Sequence, residues 1–323
     1  MPWKKAARVV LHRMGGLEAL RIRHRRDFGV LMFHSFQEQD RANVESICSR
    51  ITRHFSPVSL SEIVEAMEGG PALPDHALAV TVDDGYRNFL LHGHPIFRRY
   101  RIPVTLYAVA GFAGGRLWLW PDQIEFGVQH AERAGIRAEF PGGEVMELPL
   151  RTPSERAAAQ LRLTERLKEI PNQQRLDFVA RFGELCGIEI PRDPPAGREA
   201  MSWGELRAVA AEGVEIGCHT ETHPILSRIS SPAELSRETR GAKELMEEKL
   251  GLEVRHFCYP NGRPEDIGEA AAESVRAAGF ATATVCSWGF NTLATERLQI
   301  RRIPFTSDTD LDYGEELLAG LHM

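Results

Sequence analysis

Two pairs of potential metal ligands stand directly after apolar runs of the chain. Asp83 and Asp84 follow one run, and His219 and His223 follow another. Adjacent carboxylates at the end of a buried strand repel each other and are costly to bury without a cation. Two histidines four residues apart can bind one ion if the segment between them makes a helical turn. Two imidazoles and a carboxylate with open positions are typical of a catalytic metal site, although Asp-Asp-Gly alone also fits a surface turn.

Positioning these groups requires a fold that brings the ends of several strands together. Short apolar runs alternate with amphipathic stretches after residue 28. The predicted strands are Gly29–Phe33, Ala77–Val82, 103–109, 214–218, 254–258, 280–285 and 298–303. Helix signals lie between most of them, such as the capping box of Ser202 and Glu205. The strand-helix-strand order predicts a parallel sheet, and active sites of parallel barrels collect at the carboxyl ends of the strands.

The chain divides into three segments around one interruption. We expect a basic N-terminal segment over residues 1–27, the main domain over residues 28–310 and a C-terminal tail over residues 311–323. Residues 118–200 break the strand-helix rhythm with a long, charged, Ala-rich pattern, for which Thr152 is the predicted N-cap. We interpret this stretch as a mostly helical insertion between strands, placed where it could cover the site.

Composition and charge narrow the classes of function. The formal net charge of -6 over 323 residues gives no support to nucleic-acid binding. The five widely spaced cysteines form neither a disulfide framework nor a zinc knuckle, which favours reduced thiols and a cytoplasmic location. Residues 1–27 show no signal peptide or spanning helix. A basic amphipathic helix there could either lie on a membrane surface, giving peripheral association, or pack on the domain.

Three runs of the sequence resemble, in order, the motifs of the polysaccharide deacetylase family, which has the NodB homology domain and is carbohydrate esterase family 4. They are Thr-Val-Asp-Asp-Gly at residues 81–85, His-Thr-x-x-His-Pro at residues 219–224 and Phe-Cys-Tyr-Pro-Asn-Gly at residues 257–262. The likeness covers roughly residues 28–305. It implies an α/β fold, namely a distorted, incomplete (β/α)7-type barrel.

The resemblance also implies roles for single residues. Asp83 corresponds to the catalytic base, and the backbone N–H of Asn261 corresponds to the oxyanion donor. The family's metal is usually Zn²⁺. The positions of its ligands correspond to Asp84, His219 and His223. We further expect the substrate to be contacted by Tyr259, Pro260 and Trp288.

The third motif departs from the commonest form of the family. Cys258 stands where many members have an arginine that braces the base, so this role is vacant unless Arg255 or Arg87 fills it. Asn261 replaces a tyrosine, although its backbone N–H remains. We interpret Cys218 and Cys258 as small packing residues rather than ligands.

A second departure concerns the general acid. The family's usual acid is a histidine in a C-terminal Leu-x-x-His motif, yet no histidine lies between His256 and the penultimate residue His322. The run Leu-Met-Phe-His-Ser at residues 31–35 instead resembles the circularly permuted branch, typified by periplasmic poly-N-acetylglucosamine deacetylases. His34 is then the acid, across the acetyl group from Asp83, and its strand must lie beside residues 298–303. The alternative is a histidine that merely caps a strand end.

Together these features predict a metal-dependent hydrolase that removes N-acetyl groups from a carbohydrate in surface or exopolysaccharide biosynthesis. Two alternatives remain open. One is an O-acetyl esterase or an amidase that acts on a non-sugar. The other is a non-catalytic protein that binds metal or carbohydrate, and the missing arginine at Cys258 motivates it.

Overall fold

The computed structural model describes residues 16–321. The strands in this range are β1 (Gly29–Phe33), β2 (Ser56–Pro57), β3 (Ala77–Val82), β4 (Val104–Ala108), β5 (Gly135–Glu139), β6 (Val145–Pro149), β7 (Glu215–Cys218), β8 (His256–Cys258), β9 (Thr282–Trp288) and β10 (Ile300–Pro304). The first seven α-helices are α1 (Gly16–Arg23), α2 (Arg41–His54), α3 (Leu60–Met67), α4 (His94–Arg99), α5 (Ala110–Ala113), α6 (Trp120–His130) and α7 (Pro153–Glu169). They are followed by α8 (Asn172–Cys186), α9 (Trp203–Ala211), α10 (Pro232–Ser236), α11 (Ala242–Leu250), α12 (Pro264–Ile267), α13 (Glu269–Ala277) and α14 (Leu311–Leu318).

Seven parallel strands form a closed barrel surrounded by helices, which agrees with the parallel sheet predicted from the strand pattern and with the (β/α)7-type barrel that the resemblance implies. The ring runs β1-β10-β9-β8-β7-β4-β3 and closes because β3 also pairs with β1. The two-residue strand β2 pairs only with the start of β3. The register between β9 and β10 shifts between Ile300 and Arg302, which distorts the ring at that point. Seven strands, rather than the eight of a complete (β/α)8 barrel, therefore enclose the interior.

The permuted order of strands is confirmed. Strand β1 pairs in parallel with β10, with Leu31 opposite Ile303, and also with β3, with Gly29 opposite Leu78. The first strand of the chain thus fills the gap between the last strand and the third. This arrangement places the residue that follows β1 at the same end of the barrel as the motifs that follow β3 and β7.

Side chains alternate between the two faces of the barrel wall. On the outer face, residues such as Leu31 and Val80 join the main hydrophobic cluster beneath the helices. On the inner face, Arg302 donates to the hydroxyl of Thr81 at 3.3 Å and to the carboxylate of Asp83 at 2.6 Å. The interior near the carboxyl ends of the strands is therefore polar, and these ends open onto the candidate site.

The interruption over residues 118–200 is mostly helical, and it also holds an antiparallel hairpin. Helices α6, α7 and α8 pack with strands β5 and β6 around a separate hydrophobic cluster that includes Ile124, Leu163 and Phe182. Thr152 caps α7 in a capping box with Glu155, as predicted. The hairpin was not predicted because its exposed positions mix charged residues, such as Arg137 and Glu147, with the apolar Val145, which obscures the alternation of a strand.

The strand predictions are accurate to within a few residues. β1 and β3 have the predicted bounds, whereas β8 begins two residues after position 254 and β9 extends three residues past position 285. The expected tail over residues 311–323 contains α14, whose Leu317 and Leu318 are buried. The capping box of Ser202 and Glu205 at the start of α9 is also confirmed.

Part of the basic N-terminal segment packs against the domain. Arg21 of α1 is 7% exposed and forms an ion pair with Glu315 of α14. Residues 1–15, which hold most of the predicted amphipathic helix, lie outside the described residues. Within residues 16–321, no helix combines the length and apolar character needed to cross a membrane. Peripheral membrane association of this segment stays a prediction.

Candidate metal and catalytic site

Three predicted metal ligands converge at the carboxyl end of the barrel. Oδ1 of Asp84 lies 3.5 Å from Nε2 of His219 and 3.5 Å from Nε2 of His223. The three potential ligand atoms all lie within 4.8 Å of one another. Asp84 follows β3 and the histidines follow β7, two strands that flank β4. The barrel therefore brings together motifs that are far apart in the sequence.

Left-handed backbone conformations shape both ligand loops. Asp84 has a φ of +72°, and Thr220 and His223 have φ values of +70° and +58°. Such values are uncommon for residues other than glycine, and they occur mainly where the surrounding structure enforces them. The segment between the two histidines is a bend rather than the helical turn that was considered as the condition for a shared ion. The left-handed conformations of Thr220 and His223, rather than a helical turn, direct both imidazoles toward Asp84.

A set of hydrogen bonds holds the histidine loop. Nδ1 of His219 contacts the carbonyl oxygen of Cys258 at 2.7 Å, which leaves Nε2 directed at Asp84. The buried carboxylate of Glu238 accepts hydrogen bonds from the backbone N–H groups of Glu221 and Thr222 at 3.0 and 2.8 Å. Glu238 therefore stabilises the bend through these hydrogen bonds. Sequence reasoning did not identify this residue.

Asp84, His219 and His223 fit a divalent metal ion. The pKa of Asp84 is raised to about 7, chiefly by burial; the charge of Asp83 contributes to the rise, and His219 acts against it. Among the described residues, Oδ1 of Asp84 and Nδ1 of His223 are buried without a hydrogen-bond partner. Unsatisfied buried groups of this kind cost about 1–3 kcal/mol each. One carboxylate and two imidazoles are ligands that Zn²⁺ prefers, and a cation here would satisfy the unpartnered Oδ1 of Asp84.

The negative charge of the neighbouring Asp83 is compensated by an arginine of the chain. Oδ1 of Asp83 accepts a 2.6 Å hydrogen bond from Nη1 of Arg302, and both side chains are 2% exposed. Burial alone would raise the pKa of Asp83, but Arg302, with His34 and His219, holds it well below its ordinary range. Asp83 is therefore ionised at neutral pH.

Arg302 on β10 thus braces the predicted base, and neither arginine considered from the sequence does. Arg87 pairs with Glu205 at 2.7 Å instead. Arg255 precedes β8, at the opposite end of that strand from the site. A usable signal was present, because two consecutive arginines at 301 and 302 in an apolar strand require one of them to face inward.

Cys258 occupies the space that the resemblance assigns to an arginine. Its Sγ lies 3.6 Å from Oδ2 of Asp83, and burial raises the pKa of the thiol far above its ordinary value. Cys218 is also buried, and its pKa rises to about 12 for the same reason. Both thiols are thus protonated at neutral pH in the metal-free protein, which agrees with packing residues.

The candidate acid and oxyanion donor lie in the same cleft as the metal ligands. This cleft has a volume of about 340 Å³ and includes His34 and Asn261 in its lining. Nε2 of His34 lies 3.7 Å from Oδ2 of Asp83, and the side chain is 48% exposed. His34 therefore lies beside Asp83 in this cleft, and its place across the acetyl group stays a prediction. In the part of the chain that the structure describes, the backbone N–H of Asn261 donates no hydrogen bond.

The three predicted substrate contacts lie outside the lining of this cleft. Tyr259 is buried with its ring 5.2 Å from that of Phe257, Pro260 is buried, and Trp288 is 49% exposed. Substrate contact stays a prediction for these residues. The lining residues that sequence reasoning missed are Met32, Tyr86, Leu119, Trp120, Pro121, Thr164, Lys168, Ile225, Cys286 and Arg302. Five of them belong to residues 118–200, so the insertion forms one wall of the cleft.

Replacement of Asp84 by Asn should have opposite effects on metal binding and on the stability of the metal-free protein. In the unfolded chain this carboxyl ionises near its ordinary pKa of 3.8, whereas in the folded protein the pKa is about 7. The folded state therefore binds more protons between these values, and the metal-free protein loses stability as pH rises through this window. Asp84→Asn should abolish Zn²⁺ binding and, without metal, raise the free energy of unfolding at pH 7 by about 1–4 kcal/mol.

Urea unfolding of the metal-free proteins at pH 5 and pH 7 measures this effect. The matched control is Asp75→Asn, because Asp75 is an exposed aspartate far from the site, and this variant should unfold like the wild type at both pH values. An Asp84→Asn protein that is less stable than the wild type at pH 7, or that retains Zn²⁺, contradicts the assignment.

Comparison with known proteins finds a partial match to one family model and a shared fold. The family model for polysaccharide deacetylase matches residues 189–283, which include the second and third motifs. Poly-beta-1,6-N-acetyl-D-glucosamine N-deacetylase of Escherichia coli (strain K12) is 32% identical over 84 residues, which are 24% of this chain and 11% of that protein. The chain thus spans only a small part of the length of this curated relative.

Solved structures share the barrel over nearly the whole chain. The deacetylase PplD of Streptococcus pyogenes, in complex with acetate, has a TM-score of 0.57 at 14% identity and covers 92% of this chain and 98% of its own. IcaB of Ammonifex degensii has a TM-score of 0.57 at 17% identity, with coverages of 91% and 96%. At these identities the likeness shows a common fold. The family match over residues 189–283, the three ordered motifs and the shared barrel together support a relationship of the chain to the polysaccharide deacetylase family.

Proposed function

We propose that this protein is a metal-dependent N-deacetylase that hydrolyses acetamido groups on a carbohydrate. The observation that carries the proposal is the position of Asp83. This carboxylate is held ionised by Arg302 and lies immediately before Asp84, at the edge of a cleft that also contains two convergent histidines. An ionised base beside a metal site is the arrangement that hydrolysis by an activated water requires.

Asp84, His219 and His223 are the residues that would hold the metal, most simply Zn²⁺. A divalent ion bound there supplies a Lewis acid that lowers the pKa of a water molecule and polarises the acetyl carbonyl. The remaining roles belong to side chains and backbone groups of the chain itself.

Asp83 accepts the proton of the attacking water. Arg302 contacts Oδ1 of this carboxylate, whereas Oδ2 faces His34 and receives only the long contact from the Cys258 thiol. Arg302 also donates to the carbonyl oxygen of Val285 at 3.2 Å, which fixes the guanidinium in one orientation. The base is therefore oriented before substrate binds, which reduces the reorganisation needed in the transition state.

His34 donates a proton to the nitrogen that leaves. An amine is too basic to depart as its anion, so amide hydrolysis needs an acid near the leaving group. The side chain of His34 is half exposed in the cleft and lies within 3.7 Å of the base. The backbone N–H of Asn261, at a residue with a φ of +59°, supplies the hydrogen bond to the oxyanion.

The non-catalytic alternative loses the observation that motivated it. The bracing arginine is not missing, because Arg302 reaches Asp83 from another strand.

For the substrate we propose a polymer or oligomer of N-acetylglucosamine, on the basis of the partial likeness to the E. coli poly-beta-1,6-N-acetyl-D-glucosamine N-deacetylase. A role in surface or exopolysaccharide biosynthesis follows from that substrate class.

Acetate release from a panel of acetylated compounds tests this proposal. Protein loaded with Zn²⁺ should release acetate from N-acetylglucosamine oligomers, lose this activity on chelation and regain it when metal is restored. The panel includes O-acetylated sugars and N-acetylated amines that are not sugars. Release from O-acetyl esters alone would replace the proposal with an esterase, and release from no compound would favour a binding protein.

Replacement of His34 by Ala tests the general acid. The variant should retain the metal, and its turnover of an acetamide should fall by about 10²- to 10⁴-fold. It should lose much less on an activated acetate ester, because that leaving group departs without a proton. His92→Ala, at a histidine outside the cleft, is the matched control and should leave both rates unchanged. Equal losses on both substrates would contradict the role of His34 as a proton donor.

A further inference from the structure

The first turn of α6 contacts both loops that carry the metal ligands. Nε1 of Trp120 donates a hydrogen bond to the carbonyl oxygen of His223 at 3.1 Å. The carboxylate of Asp122 accepts a hydrogen bond from the hydroxyl of Tyr86 at 2.7 Å. Tyr86 lies two residues after Asp84, so a single helical turn of the insertion connects the loop of one ligand to the loop of another.

The segment that leaves the insertion contacts the Asp84 loop as well. The backbone N–H of Met201 donates to the carbonyl oxygen of Gly85 at 2.9 Å, and the N–H of Arg87 donates to the carbonyl oxygen of Glu199 at 2.8 Å. Between these bonds, Tyr86 and Ala200 form an antiparallel bridge. Both ends of the insertion are therefore attached to the loop that presents Asp84.

The contacts of α6 are buried and have further support. Trp120 and Asp122 are 5% and 6% exposed. The guanidinium of Arg175, from α8, lies 4.9 Å from the centre of the Trp120 ring, a cation–π contact. The second carboxylate oxygen of Asp122 accepts from Arg198. Side chains that are fixed in this way can hold their partners in one position.

The loops they contact need such support. His223 and Asp84 both have left-handed backbone conformations, which cost free energy and persist only where neighbouring groups hold them. Among the hydrogen bonds of residues 16–321, the one from Trp120 joins the insertion to the backbone of His223. Groups that orient a metal ligand commonly change metal affinity by about 10- to 100-fold when they are removed.

We propose that the first turn of α6 is a positioning clamp for the metal site, in which Trp120 fixes the His223 loop and Asp122, through Tyr86, fixes the Asp84 loop. The insertion, and not the barrel alone, thus sets the affinity of the site for its metal. This inference rests on the metal site of the proposed function. Trp120 and Tyr86 act here as positioning residues and do not bind the ion.

The main test is metal affinity, measured without substrate. Trp120→Phe keeps an aromatic ring and removes the indole N–H. Its affinity for Zn²⁺, determined by competition with a chromophoric chelator, should fall by about 10- to 100-fold. Visible absorption of the Co²⁺-substituted protein should change too, because it reports the geometry of the ligands rather than general stability. Trp118→Phe is the matched control, since Trp118 is also buried but, among the hydrogen bonds of residues 16–321, makes none to either ligand loop.

A second variant keeps the test decisive if Trp120→Phe does not fold. Tyr86→Phe removes one hydroxyl, leaves Asp122 paired with Arg198, and should also weaken Zn²⁺ binding. If the two residues act as one clamp, the double variant should lose less binding free energy than the sum of the single losses.

The outcomes separate this inference from the proposed function. Wild-type affinity and an unchanged Co²⁺ spectrum in Trp120→Phe and Tyr86→Phe would overturn the clamp and leave Trp120 as part of the cleft wall only. A wild-type protein that binds neither Zn²⁺ nor Co²⁺ would remove the metal site itself, and the proposed function with it.

Discussion

The site depends on the placement of two adjacent carboxylates at the end of one buried strand. Their repulsion is relieved in two different ways. Asp83 is neutralised by Arg302, which is part of the chain, whereas Asp84 faces two imidazoles and has a buried oxygen without a partner among the described residues. The same difference separates their pKa values, because that of Asp83 is lowered and that of Asp84 is raised. One carboxylate is thus suited to accept a proton and the other to bind a cation.

The closed barrel makes this difference possible. β10, β1 and β3 are neighbours, so Arg302, His34 and Asp83 come from three adjacent strands or from the residue that follows them. Because the chain begins its barrel with β1, the first strand lies between the base and the arginine that braces it. An arginine from β10 therefore does what the resemblance assigns to the position of Cys258, while the small thiol of Cys258 fills the space next to Asp83.

Much of the site could be predicted from sequence because its signals are local. The apolar runs that precede Asp84 and His219 indicate strands, and the ordered motifs indicate which side chains follow them. Arg302 and the contact between Trp120 and His223 join residues far apart in the chain, and their pairing depends on barrel closure and on the path of the insertion. The bend between the histidines was missed for another reason, since left-handed φ values at Thr220 leave no mark in the spacing of ligands.

The most direct measurement of the central claim is the turnover of Asp83→Asn on an N-acetylglucosamine oligomer, with metal content determined on the same sample. The substitution retains the size of the side chain and removes the proton acceptor, while Asp84, His219 and His223 stay intact. The account predicts metal at the wild-type stoichiometry and turnover lower by about 10² to 10⁴. Near-normal turnover with metal bound would contradict it and would assign proton transfer to another group.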